Sequence, residues 1–266
     1  MRLVRRSLLV TDDMGSLTGG PDAVVLADTV SQTDVDLAVE AGADVLLHHT
    51  VGNADRLPSG AAGLVVDADT SRDMHDAIGR LAATEAYLGA GHPFFELLPV
   101  ISSPLGVWRA REIARFSRVR QVGFCEDAFI RAIGGAVDGG VDPCFYARGR
   151  VVTEALVAGA QPVCRAERLS SSMLFNAGYR GFLIDDPVLI DLTNDVLTPS
   201  AEDVAYAEQV RDAFMEGVAG GTAAVRLGQR MIDVPVYKAA LGVLEWADAC
   251  AARESTKRVP RQNHSM

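Results

Sequence analysis

LLPVISSPLGVWRAREIARFSRVRQVGFCEDAFIRAIGG (97–135) holds an apolar run, an amphipathic stretch and a second apolar run in immediate succession. The first run, LLPVISS (97–103), and the second, QVGFCE (121–126), are apolar almost throughout. Short runs without polar alternation read as strands buried on both faces, as in a parallel sheet. Between them, Val107 to Phe116 carries its apolar residues at helical spacing. The unit is strand, helix, strand.

The same unit recurs outward in both directions. SLLVT (7–11), AVVLAD (23–28), DVLLHHT (44–50) and GLVVDA (63–68) precede it, and QPVCRA (161–166) and GFLIDD (181–186) follow. Helical spacing recurs over Ser71 to Leu88, Ala147 to Ala158 and Ala201 to Met215. Thr70 or Ser71 caps the first of these, and Ser200 with Asp203 makes a near capping box on the last. Eight apolar runs alternating with helices predict an α/β fold, a (β/α)₈ TIM barrel. No GxGxxG follows the first strand, which argues against an open dinucleotide-binding sheet. Most runs end in a polar residue, so polar groups gather where a barrel of this type builds its sites.

The chain has 266 residues, with 25 Lys plus Arg against 35 Asp plus Glu, a net charge of −10. That length suits one barrel. The acidic balance argues against nucleic acid and anionic membrane surfaces as partners and leaves small-molecule substrates. No apolar run approaches the ~20 residues of a membrane helix. MRLVRRSLLV (1–10) is basic then apolar, but Asp12-Asp13 follows at once, so it reads as a first strand and not a secretion signal. Cys125, Cys144, Cys164 and Cys250 have no CxxC spacing and read as buried thiols of a cytoplasmic protein.

Several stretches carry a family resemblance. Arg5-Arg6-Ser7-Leu8-Leu9 opens the first strand, and the 97–135 stretch combines an AREIA helix with a Gly-x-x-Glu-Asp strand end. YARGRVV (146–152), LTPSAEDVAYAEQVRDAF (197–214) and GQRMIDVPVYKAALGVL (228–244) complete the set. In these the chain resembles the HpcH/HpaI aldolase and citrate lyase beta-subunit superfamily. The resemblance implies a TIM barrel over 1–220, a lid segment over 221–250 that packs on a neighbouring subunit of a homotrimer, and a disordered tail over 251–266. It implies C–C bond cleavage or formation between an enolate and a carbonyl partner. It also implies Mg²⁺ held by one Glu and one Asp, and arginines that grip carboxylates.

The departures fall at strand ends. The third strand ends in His48-His49 where the family has a carboxylate-binding arginine. The fourth carries Asp67-Ala68 in place of Pro-Lys, and Ser102 stands where the metal-binding Glu is expected. Asp28 belongs to a shortened acidic run, and Glu126, Asp127 and Asp233 are retained. Asp127 is thus the candidate ligand for Mg²⁺. His48 and His49 are candidate bases, because imidazole titrates near neutrality and only one of two adjacent residues can face the mouth. Asp233 is a candidate proton donor across a subunit interface, or else a helix cap. Arg5, Arg6, Asp28, Asp67, Ser102 and Glu126 are candidate substrate contacts. Acid at the rim, Asp12-Asp13 and Asp185-Asp186, would repel a CoA diphosphate.

Three functions remain open on these residues. One is a diverged lyase-fold enzyme for aldol, retro-aldol or related proton-transfer chemistry (cyclisation, hydration) on a small carbonyl compound. Another is a Mg²⁺-dependent acyl-CoA lyase with relocated ligands. The third is a non-catalytic family member.

Overall fold

The computed structural model describes residues 4–257, apart from 13, 15–19, 54, 90–93, 136–141, 166–170 and 223. Eight parallel strands close into a barrel in sequence order. They are β1 (Ser7–Val10), β2 (Ala23–Leu26), β3 (Asp44–His48), β4 (Ala61–Asp67), β5 (Glu96–Ile101), β6 (Gln121–Cys125), β7 (Gln161–Arg165) and β8 (Gly181–Ile184). β1 pairs with both β2 and β8, which closes the ring. All eight apolar runs are therefore strands, and the predicted TIM barrel is the observed fold.

The helices are α1 (Gln32–Glu40), α2 (Ser71–Leu88), α3 (Pro104–Trp108), α4 (Ala110–Ala114), α5 (Glu126–Ala132), α6 (Phe145–Val157), α7 (Ser171–Asn176) and α8 (Leu189–Leu197). Thr70, not Ser71, caps α2, in a reciprocal capping box with Asp73. The helix expected over Val107 to Phe116 is split. Ser103 caps α3 with Pro104 at its first turn, and at Arg109 the backbone leaves helical values before α4 begins. Glu126 opens α5 instead of ending its strand.

The barrel interior is a layer of aliphatic side chains. Leu8, Val25, Leu46, Val65, Leu98, Val100, Val163 and Leu183 are all buried in one cluster. Strand alternation then sets which later residues point inward at the mouth. Gly63 is demanded by packing: a Cβ there would lie 2.0 Å from the Glu96 carbonyl oxygen on the neighbouring strand.

The other end of the barrel is plugged by Arg5. Its guanidinium donates to Asp44 (2.7 Å), to the Gln121 side chain (3.0 Å) and to Glu96, each at the first residue of its strand. Burial opposes a charge on Arg5, but Glu96 and Asp44 outweigh it and raise its pKa. Arg6 is equally buried and chelates Asp22, with Nε at 2.9 Å, while Lys257 reaches the same carboxylate at 2.8 Å. Burial pushes Asp22 up, but Arg6 and Lys257 win and hold it below the usual carboxylate range.

A second compact unit comprises Asp195–Thr256 with Val4. It contains α9 (Ala201–Ala219), the antiparallel pair β9 (Val225–Leu227) and β10 (Arg230–Ile232), and α10 (Val234–Thr256). Ser200 and Asp203 form the capping box of α9. Phe214 stacks on Tyr237 with ring centres 4.5 Å apart, over a core of Val210, Ile232 and Ala240. Residues 251–256 of the expected tail are helical, and 258–266 lie outside the described residues. No disulfide joins the four cysteines, and no described helix is long and apolar enough to cross a membrane.

Candidate functional site

Continuing the inward alternation past the aliphatic layer leads from Leu46 to His48, from Val65 to Asp67, from Val163 to Arg165 and from Leu183 to Asp185. These four polar residues sit at the C-terminal ends of β3, β4, β7 and β8 and form two ion pairs. His48 Nε2 lies 3.3 Å from Asp67 Oδ2, with the side chains 47% and 68% exposed. Arg165 donates from one nitrogen to both oxygens of Asp185, at 2.7 and 2.9 Å. The hydrogen bond with Asp67 raises the His48 pKa, against burial and against the positive charge of Arg165. His48 in turn holds Asp67 below the ordinary carboxylate value, with help from Arg165. The group is water-accessible, mixed in charge, and contains one imidazole that titrates above its usual value.

His49 points the other way. It is buried, with Nε2 3.0 Å from Asp76 and Nδ1 3.4 Å from an Arg80 nitrogen, both partners on α2. Arg80 also pairs with Asp28 and donates to the Asp55 carbonyl at 2.7 Å. Asp28 accepts from the Thr50 backbone (2.9 Å) and the Asn53 amide (2.8 Å), and Asp76 accepts from the Gly52 backbone (3.1 Å). Burial would raise the Asp28 pKa, but Thr50, Asn53 and Arg80 together lower it. His49 and Asp28 therefore clamp the loop after β3 to α2. His49 faces α2 and not the mouth, which corrects its assignment as base, whereas Asp28 is held by Arg80 yet lies near enough to His48 to help raise the His48 pKa.

Three further candidates are corrected. Arg5 and Arg6 lie at the opposite end of the barrel, Arg5 paired with Glu96 and the half-buried Asp44, and Arg6 with the buried Asp22. Glu126 is buried and chelated by Arg148 through both oxygens, at 2.7 and 3.0 Å, with the Cys164 thiol 3.6 Å from one of them. Burial and the nearby Glu126 charge push the Cys144 thiol up to about 12, so it stays protonated. Asp233 caps α10, its Oδ1 accepting from the Val236 backbone at 3.1 Å. Ser102 is half-buried just past β5, its backbone N–H 3.4 Å from Asp69 Oδ1, and Asp127 is partly exposed in the first turn of α5. At the rim, Asp185 is neutralised by Arg165, Asp186 caps the Val188 backbone at 3.0 Å, and Asp13 lies outside the described residues.

The described residues offer Mg²⁺ less carboxylate charge than the resemblance implies, with Asp127 in the first turn of α5 as the remaining candidate ligand. Mg²⁺ takes oxygen ligands, with protein carboxylates supplying the charge. Here Ser102 has replaced one carboxylate. Asp67, Asp185, Glu126 and Asp28 are each held by a cationic or imidazole partner. Among the described residues, no group of three His, Cys, Asp or Glu is arranged to hold a metal ion.

Arg165 is the charged residue of the mouth that the family motifs do not include. Its signal was present: QPVCRA ends in a cation at the inward parity set by Val163.

No family model matches the chain. It is 27% identical over 231 residues to the citrate lyase beta subunit of Escherichia coli K12, covering 83% of this chain and 71% of that one. Among solved structures, a citrate lyase from Burkholderia xenovorans superposes with a TM-score of 0.71 at 15% identity, covering 98% and 95% of the two chains. The CitE protein of Mycobacterium tuberculosis, solved with magnesium, acetoacetate and coenzyme A, gives 0.65 at 15% identity, covering 93% and 100%. These two likenesses are of fold, and they agree with the closed barrel. Sequence kinship at low identity supports the HpcH/HpaI aldolase and citrate lyase beta-subunit superfamily, and the closed barrel agrees with it.

Proposed function

We propose that the chain is a citrate-lyase-beta-like enzyme that performs aldol, retro-aldol or related proton-transfer chemistry on a small carbonyl acid. The observation that supports this most is the inward-facing group His48, Asp67, Arg165 and Asp185 at the barrel mouth. A substrate carboxylate exchanges with Asp185 on the Arg165 guanidinium, whose fork suits bidentate recognition. His48 takes a proton from the carbon or hydroxyl next to the reacting bond, and Asp67 orients the ring and stabilises the imidazolium. In the retro-aldol direction, the hydroxyl proton passes to His48 and the C–C bond electrons move into the adjacent carbonyl as an enolate. The proton then returns to that carbon. A base whose pKa is raised toward working pH is suited to giving the proton back.

An acyl-CoA substrate is disfavoured because Arg165, the guanidinium described on the inward face of the mouth, is already paired with Asp185. In the same reading, segment 221–250 serves as the lid of a neighbouring subunit in a cytoplasmic homotrimer and brings Asp233 to the developing oxyanion.

The test is exchange of solvent deuterium into the methyl group of pyruvate, followed by proton NMR with and without Mg²⁺ and EDTA. Catalysed exchange that persists in EDTA and is abolished by His48→Ala is the expected result. Exchange intact in His48→Ala and in Arg165→Met would overturn the reading. Exchange only with Mg²⁺ would support the metal-dependent lyase, and none under any condition the non-catalytic member.

A further inference from the structure

A cavity at the closed end of the barrel has the chemistry of a second binding site. It has a volume of about 280 Å³ and lies where the loop before β4 meets the end of α2 and the start of β5. Leu57, Pro58, Leu88 and Phe95 give it apolar walls. At its rim the Arg56 guanidinium carbon lies over Tyr87, 3.6 Å from the ring centre.

The polar groups that line the cavity are mostly committed elsewhere. The Ser59 N–H donates to the Gln32 side chain at 3.0 Å. The Thr84 hydroxyl accepts from the Leu57 N–H at 3.3 Å and donates to the Arg80 carbonyl at 3.0 Å. Arg56 differs. It is exposed, and it makes no ion pair with a described carboxylate, although acids outnumber bases by ten in this chain. A guanidinium held over an aromatic ring by its charge still has N–H donors to offer, and a carboxylate can be gripped by them. An apolar cavity with one convergent cation selects a ligand with an apolar body and one negative end.

We propose that this cavity binds a small aromatic carboxylate, with its ring against Leu57, Leu88 and Phe95 and its carboxylate on Arg56. β4 separates this cavity from the mouth. Its seven residues span about 20 Å at strand rise. The site is therefore independent of the His48 group and of any reading of the mouth, and both can be filled at once.

The experiment is calorimetric titration of the full chain with 2-naphthoate and with its uncharged amide. Two variants change exposed side chains and leave the core alone: Arg56→Gln removes the cation, and Leu88→Glu sets a like charge at the cavity wall. The naphthoate is expected to bind more tightly than the amide. Loss of the charge-assisted bond in Arg56→Gln should weaken it about tenfold or more. Leu88→Glu should weaken it too, and His48→Ala should leave it unchanged. No measurable binding, equal binding in Arg56→Gln, or loss in His48→Ala would each overturn the proposal.

Discussion

The two ends of the barrel use the same kinds of residue to opposite ends. At the closed end, Arg5 is 3% exposed and divides its donors among Asp44, Glu96 and Gln121. At the open end, Arg165 is 40% exposed and spends one nitrogen on one half-exposed carboxylate. A buried charge that loses its partner has no water to replace it, whereas an exposed one does. The closed end is thus a structural lock, and the open end is a set of charges that a ligand can exchange. Arg5→Met should cost about 3–5 kcal/mol in urea unfolding, because it strands the Glu96 and Asp44 carboxylates. Arg165→Met should change stability by no more than about 0.5 kcal/mol. Similar losses for both variants would erase the distinction between the ends.

The adjacent histidines repeat that contrast across a single peptide bond. His48 has the mouth side of β3, and His49 the side covered by α2. Arg80→Met should cost about 2–3 kcal/mol, less than the Arg5 change, because Asp28 keeps its bonds from Thr50 and Asn53. Hydrogen exchange should also quicken at Thr50 and Gly52, whose amides the Asp28–Arg80–His49–Asp76 clamp holds. Unchanged exchange there would mean that the loop is held by something else.

The barrel was legible because each apolar run is short, continuous and followed by helical spacing, and these signals are local. The mouth was half legible. His48 and Asp67 stand at strand ends with the right parity, and parity can be read from LLH and VVD. His49, Asp28 and Glu126 misled because their partners, Arg80, Asp76 and Arg148, are on helices 22 to 52 residues away in the chain. No spacing rule foretells that a buried arginine will claim a carboxylate. Arg5 and Arg6 misled for a related reason. Family likeness located them at the start of β1, and the start of a parallel barrel strand is the closed end, away from the chemistry.

Asp233 offers a smaller test. Its carboxylate caps α10, so Asp233→Ala should cost about 1 kcal/mol through lost capping alone. Asp233→Asn keeps an acceptor and should cost little. If both variants unfold at the same urea concentration as the parent chain, the cap contributes nothing and only a role in a neighbouring subunit would remain for the side chain.

The smallest expected effect on stability is also the sharpest probe of the mouth. Asp67 raises the His48 pKa, so this contribution is complete below the unfolded histidine value of ~6.5 and is lost as pH rises through the folded value. His48 lowers the Asp67 pKa, so the same pair is lost again as pH falls below the unfolded aspartate value of ~3.9 and through the folded one. The pair therefore stabilises most between about pH 4 and 6.5, and solvent screening at these half-exposed groups limits it to a few tenths of a kcal/mol. Asp67→Asn should leave the unfolding midpoint nearly unchanged, yet move the His48 ring titration, followed by NMR, down to lower pH. Arg165→Met should move it up, because Arg165 opposes the imidazolium charge. Opposite shifts from two substitutions that scarcely alter stability would mark the open end as a tuned group of charges. Two null shifts would reduce it to a solvated rim.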